Sequence, residues 1–141
     1  MRRIVLILIA VSLVLAAGQV EASDGMRGDK CVVGKQDYIV EDFYFFCRVL
    51  EVKGTIDGDL IGVASEISIS RDAVITGDLW IAGGIVDVAG TVGDDVHFGG
   101  VKLTVSDKAN FTHDRIDILS ISLSTEITHG AYIPGDLLMY G

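Results

Sequence analysis

The heptapeptide Gly54-Thr55-Ile56-Asp57-Gly58-Asp59-Leu60 decides how this sequence folds, because variants of it return along the chain. Gly90-Thr91-Val92-Gly93-Asp94-Asp95-Val96 repeats its order of Gly, β-branched residue, acidic residue and apolar residue. The tripeptide Gly-Asp-Leu occurs again at 77–79 and 135–137. Recurrence at a short period is the signature of a repeat architecture, in which each unit completes the core of its neighbour.

The apolar residue that ends each copy is an anchor for aligning six units. The anchors are Phe43, Leu60, Leu79, Val96, Ile116 and Leu137. Apolar residues also align four positions before each anchor and seven and nine positions after it. The resulting core ladder is predicted to contain Ile56, Leu60, Ile67, Ile69, Ile75, Leu79, Val86, Val88, Val92, Val96, Leu103 and Val105. In the fifth unit the same offsets select Thr112, Leu123 and Thr125.

Within each unit apolar and polar residues alternate, as in Ile67-Ser68-Ile69 and Leu103-Thr104-Val105. Alternation and β-branched residues are typical of strands, and no stretch has the 3.6-residue rhythm of a helix. Length differences between units fall in one place, just before the next unit begins, which indicates insertions at a single corner. We therefore predict an all-β fold, a parallel β-helix (solenoid) of about five to six short coils over residues 39–141.

The two heptapeptides resemble the G-x-[IV]-x-G-[DN]-[LV] repeats of bactofilins, which are bacterial polymer-forming cytoskeletal proteins. The resemblance extends over residues 39–141. It implies a right-handed, three-sided β-helix, a hand that also follows the general rule for parallel crossovers. Bactofilins are usually cytoplasmic, with polar, Pro-rich tails. With its apolar N-terminus and two Cys, this chain resembles the extracytoplasmic bactofilin-like domains of envelope proteins at least as well.

The N-terminus has the pattern of a secretory signal peptide, here residues 1–22. Arg2 and Arg3 precede an uncharged apolar run at 4–17, and within 20–22 the positions that a signal peptidase reads hold the small residues Val20 and Ala22, with 16–18 as a competing site. The run is shorter than the roughly 20 residues of a membrane span. We expect an extracytoplasmic bacterial protein (secreted, periplasmic or at the cell surface) with no stable membrane span after cleavage. An uncleaved anchor is the alternative.

Cys31 and Cys47 are the only cysteines. In an exported chain such a pair predicts a disulfide, the alternative being two free, buried thiols. We interpret residues 23–38 as an N-terminal cap, folded over the end of the helix and pinned by this bond. The cap would cover the aromatic run at 43–46, for which contact with a partner is the other interpretation.

The formal net charge is −9, which argues against binding to nucleic acid or to an anionic membrane surface. Much of it lies in a column just before the anchors, formed by Asp42, Asp59, Asp78, Asp95, Arg115 and Asp136. We favour turn chemistry, in which Asp caps backbone amides, over a cation-binding ladder. The preceding glycines, at 58, 77 and 135, are expected to adopt positive φ.

The three histidines fall in different columns, so no metal site is predicted, and no catalytic or cofactor-binding set is apparent. We expect a non-enzymatic structural module of the bacterial envelope that assembles end to end, with the chain itself as main partner. Envelope proteins and cell-wall polysaccharide are further candidate partners. The candidate assembly end is Leu137, Leu138, Met139 and Tyr140. The alternatives are a binding or sensory ectodomain of a longer membrane protein, truncated at Gly141, and a polysaccharide-active enzyme.

Overall fold

The computed structural model describes residues 25–113 and 117–141, and every regular element in these two ranges is a β-strand. Strands are numbered in chain order. The first sheet contains β1 Gly25–Val33, β3 Phe43–Val52, β5 Leu60–Ile69, β7 Leu79–Val88, β9 Val96–Val105, β11 Ile118–Ile127 and β12 Leu137–Tyr140. The second contains β2 Tyr38–Val40, β4 Thr55–Asp57, β6 Val74–Ile75, β8 Thr91–Val92 and β10 Asn110–Phe111. The predicted signal peptide at 1–22 lies outside the described residues.

The described strands form a parallel β-solenoid, as the repeat predicts. The first sheet has the order β1-β3-β5-β7-β9-β11-β12 and the second has the order β10-β8-β6-β4-β2. Every neighbouring pair is parallel. Each coil therefore adds one long strand and, in the middle of the stack, one short strand directly above the previous ones. The right hand of the helix stays a prediction.

Each ten-residue strand bends near its middle. In β5, Ala64 is buried, the next two residues Ser65 and Glu66 are both exposed, and burial then alternates again from Ile67. Two successive outward side chains break the period-2 alternation of a straight strand, so they mark a corner. With the short strand of the second sheet, each such coil has three straight segments.

The interior is the apolar ladder that the columns predict. All twelve core residues named above are at most 1% exposed. Ile67, Val86 and Leu103 lie directly above one another in consecutive strands, and the other columns stack in the same way. Because each such side chain contributes about 1.5–3 kcal/mol on burial, this ladder is the main source of stability.

The fifth anchor is wrong by two residues. Ile118, not Ile116, pairs with Val96 on one side and with Leu137 on the other. Ile116 itself lies outside the described residues. A shift of two keeps the same face of a strand inward, so hydrophobic alternation alone does not distinguish the two registers.

The offsets taken from that anchor are wrong as well. Phe111, rather than Thr112, continues the column of Val92. Thr125 pairs with Leu103, in the column that we assigned to Leu123, and Leu123 is 82% exposed.

The corrected register adds a second insertion point. Phe111 and Ile118 are seven positions apart, whereas the equivalent Val92 and Val96 are four apart. Insertions therefore occur at two corners of the coil, and the expectation of a single corner is corrected.

The segment interpreted as a cap is part of the solenoid. Residues 25–33 form β1, which runs parallel to β3 with Cys31 opposite Leu50 and Val33 opposite Val52. The described solenoid thus begins at Gly25 rather than at 39. In β3, Phe43 and Phe45 point into the core, whereas Tyr44 and Phe46 are 41% and 66% exposed. β1 lies beside these outward rings and does not fold across them.

Candidate interaction surfaces

The aspartates before the anchors form a hydrogen-bonded ladder from coil to coil. Each Oδ1 accepts a hydrogen bond from the backbone N–H of the aspartate in the following coil. The acceptors Asp42, Asp59, Asp78, Asp95 and Asp117 pair with the N–H groups of Asp59, Asp78, Asp95, Asp117 and Asp136 at 3.0, 2.8, 2.9, 2.8 and 3.1 Å. These carboxylates accept hydrogen bonds from backbone amides at the corner, which is the turn chemistry that we favoured from the sequence.

The ladder also corrects one of its predicted members. Asp117 stands where the sequence alignment placed Arg115, which lies outside the described residues. Aspartate therefore occupies every described rung. In water, unit charges about 4.8 Å apart repel by roughly 1 kcal/mol, so the amide hydrogen bonds hold like charges together against a modest cost.

Glycine at this corner is required by close approach rather than by positive φ. Neither Gly58 nor Gly77 has positive φ. A Cβ on Gly58 would lie 2.6 Å from the carbonyl oxygen of Glu41, and one on Gly77 would lie 2.8 Å from that of Gly58. At these two positions the coils approach each other too closely for a side chain larger than hydrogen, whereas Asp94 stands at the equivalent position of the next coil.

Cys31 and Cys47 form a disulfide that joins β1 to β3, as predicted, with Cα atoms 6.2 Å apart. Both residues are buried. The bond crosslinks the first described coil to the second, and it is compatible with an oxidising, extracytoplasmic location.

The candidate assembly end is β12. Its four residues 137–140 are between 37% and 58% exposed. Leu137 pairs with Ile118 and Met139 with Ser120, both buried, so these two side chains continue interior columns. The other two continue outward columns. Stacking of a further coil would therefore bury Leu137 and Met139 but not their neighbours.

The interior becomes polar next to that end. Ser120, Ser122 and Thr125 occupy inward positions of β11, where β9 has Phe98, Gly100 and Leu103. Their hydroxyl oxygens lie 2.8–3.0 Å from one another, so that each hydroxyl can donate one hydrogen bond and accept one. A closed ring of this kind satisfies buried hydroxyls without a backbone partner.

An apolar stripe, which the sequence reasoning missed, covers the outer face of the first sheet. Its first column follows the anchors directly and contains Tyr44, Ile61, Trp80, His97, Leu119 and Leu138. Its second column lies two residues further on and contains Phe46, Val63, Ala82, Gly99, Ile121 and Tyr140. None of these twelve residues is Asp, Glu, Lys or Arg, whereas in β1 the same two columns continue with Gly25 and Arg27, which we leave out of the stripe. We call this surface the outer stripe.

The outer stripe is not flat. In its first column the rings of Trp80 and His97 stack with centroids 3.7 Å apart and planes 16° apart, and the Trp80 indole N–H donates to Asp78 Oδ2 at 3.3 Å. Beside this stack, Ala82 and Gly99 leave an open apolar groove in the second column. The signal was present in the sequence, since the outward positions of these strands should be polar in a solvated sheet.

The histidines lie apart, as their columns predict. His97 belongs to the outer stripe, whereas His113 Nδ1 lies 3.2 Å from Asp94 Oδ1 at the second sheet. Among residues 25–113 and 117–141, no three His, Cys, Asp or Glu side chains are grouped so that they could hold a metal ion. The same residues contain no helix long and apolar enough to cross a membrane.

These features define a parallel β-solenoid with a carboxylate ladder, one disulfide and two exposed apolar surfaces, the β12 end and the outer stripe. No protein-family model, curated protein or solved structure matches the chain.

Proposed function

We propose that this protein is a non-enzymatic structural module of the bacterial cell envelope, an exported relative of bactofilins that assembles end to end through its coils. The observation that carries the proposal is the in-register parallel stack. Consecutive long strands present the same columns, and β1 and β12 are the edge strands of the described sheet. An edge strand offers unpaired backbone groups to another chain.

The β12 end supplies the apolar part of such a contact. Leu137 and Met139 continue the interior columns, yet they are 37% and 52% exposed. Burial of both by a further coil would add hydrophobic stabilisation to the strand hydrogen bonds. No nucleotide or cofactor is needed for this kind of assembly, because strand pairing and apolar burial supply its free energy.

Location in the envelope rests on two separate observations. The N-terminal pattern at 1–22 is that of a signal peptide, and the buried Cys31–Cys47 disulfide suits an oxidising compartment. Expression of the full chain with its own N-terminus, followed by mass spectrometry of the protein recovered from each cell fraction, tests both. The proposal predicts an extracytoplasmic, oxidised product that begins near Ser23.

The assembly itself is tested by electron microscopy and sedimentation of that product. We expect filaments or long oligomers for the natural chain, and their loss in a Leu137→Lys/Met139→Lys variant, which puts two charges into the end contact. Val101→Lys is the matched control, because Val101 is 50% exposed in β9, which β11 separates from β12. Assembly that survives the double substitution unchanged, or a strict monomer at high concentration, contradicts the proposal.

The alternative is that the β12 end is covered by a further part of a longer membrane protein, so that these coils form a binding or sensory ectodomain. The exposed β12 fits this as well. Reading the genomic sequence beyond codon 141 separates the two. A downstream membrane-spanning segment favours the ectodomain, and a stop codon favours the assembling module.

A further inference from the structure

In the middle of the solenoid, at β7 and β9, the two columns of the outer stripe have opposite profiles. In the first column the stacked rings of Trp80 and His97 stand there and form a ridge. In the second column the smallest residues, Ala82 and Gly99, stand at the same two heights and form a trough. Ridge and trough thus lie side by side on one uncharged face.

The fold does not require glycine in this trough. A Cβ on Gly99 would meet no atom within 4 Å, and its φ is not positive. Gly100, the next residue, differs, since a Cβ there would overlap the backbone of Gly83. A strand position without a steric demand would be better served by a β-branched residue. The trough therefore has room for a side chain from outside the chain.

We propose that the outer stripe pairs with the outer stripe of a second copy, about a two-fold axis parallel to the solenoid. This axis brings the first column of each copy over the second column of the other at the same height. Trp80 then faces the partner's Ala82, and His97 faces the partner's Gly99. Each ridge fills the other's trough, which is the self-complementarity that an isologous interface needs.

The other face-to-face arrangement, with the axis along the strands, places ridge on ridge and trough on trough. It leaves voids and overlaps rather than a packed contact. The proposed axis also suits the charges. The carboxylate ladder borders the stripe on the first-column side, so the ladders of the two copies lie at opposite edges of the contact and do not face each other. The pairing uses the side of the solenoid and is independent of end-to-end assembly.

The area of the outer stripe sets the expected affinity of the dimer. Six strands about 4.8 Å apart and roughly 15 Å of strand length give about 750 Å² buried over both copies. Stable complexes bury about 1,200–2,000 Å² in total. We therefore expect a weak dimer that is detected at high protein concentration, with Trp80 as its main anchor, since Trp is enriched among interface hot spots.

The test is sedimentation equilibrium of the full chain as recovered from the cell, in the Leu137→Lys/Met139→Lys background that blocks the ends. Gly99→Val fills the trough and is expected to raise the dimer Kd at least tenfold. The matched control is Ser68→Val, which adds the same side chain at an outward strand position away from the stripe. Circular dichroism and thermal unfolding establish that both variants fold.

A second variant tests the geometry of the pairing. His97 faces the partner's Gly99. Adding His97→Ala to Gly99→Val therefore removes the imidazole ring that would contact the new valine of the partner. This double variant is expected to recover part of the lost affinity. A monomer at all concentrations, an unchanged Kd for Gly99→Val, or no recovery in the double variant would each overturn the inference. A monomer in this background would leave end-to-end assembly of the natural chain untouched.

Discussion

Removal of one rung of the carboxylate ladder separates its two effects, hydrogen bonding and repulsion. Asp59 is suited to this, because its Oδ1 accepts the N–H of Asp78 at 2.8 Å. Asp59→Ala and Asp59→Asn remove the same charge, but only the amide keeps an oxygen acceptor. A partly buried N–H that loses its partner costs about 1–3 kcal/mol, while relief from the charges of Asp42 and Asp78 returns up to roughly 2 kcal/mol, about 1 kcal/mol for each.

We therefore expect Asp59→Asn to lie within about 1 kcal/mol of the natural chain, and Asp59→Ala to be about 1–2 kcal/mol less stable than Asp59→Asn. Urea unfolding followed by the fluorescence of Trp80, the only tryptophan, measures both variants. Equal stability of the Ala and Asn variants would refute the view that the carboxylate serves the backbone. Stabilisation by Ca²⁺ that Asp59→Asn abolishes would establish the cation-binding interpretation instead.

Three further predictions concern single features of the fold. Cys31→Ser removes the disulfide with Cys47 and is expected to lower the free energy of unfolding by up to about 3 kcal/mol, measured by urea unfolding under oxidising conditions. Reduction of this variant should lower its stability no further, and a further loss would contradict the prediction. The pKa of Glu51 is lowered from 4.5 to about 2 by hydrogen bonds from two lysines, so the stability that it contributes is present above pH 4.5 and is lost as the pH falls toward 2. Glu51→Gln should flatten this part of the pH profile of unfolding, and an unchanged profile would argue against the pair of lysines as its cause. Gly77→Ala is expected to cost about 1–3 kcal/mol of stability because its Cβ would overlap Asp59 Oδ1 and press on the backbone of Gly58, and a thermal midpoint equal to that of the natural chain would refute that close approach.

The apolar columns were predictable because they combine a fixed period with a residue type. Ile67, Val86 and Leu103 lie at the same offset from their anchors and are all apolar, so spacing and residue type support the same assignment. The fifth unit lacked that agreement. Ile116 and Ile118 are both apolar and differ by two positions, which changes the register but not the face. The residue before them would have decided the question, since Asp117 precedes Ile118 as Asp59 precedes Leu60.

Two other features, the strand β1 and the outer stripe, were not predicted from the sequence, for different physical reasons. β1 begins with the mainly polar stretch at 25–30, in which Met26 packs against the core opposite Phe45, and the regular ladder resumes with Cys31 and Val33. An edge strand with one neighbour needs few apolar residues, so its sequence signal is weak. The ridge and trough of the outer stripe depend on which residues lie above one another, and the sequence shows this only when the register is known.

Electron microscopy of the oxidised chain recovered from the cell, combined with sedimentation over a range of concentrations, tests most directly whether this solenoid is an assembling structural module. The proposal predicts filaments along the solenoid axis that Leu137→Lys/Met139→Lys abolishes and Val101→Lys leaves intact. A single monomeric species for the natural chain at every concentration would contradict the proposal.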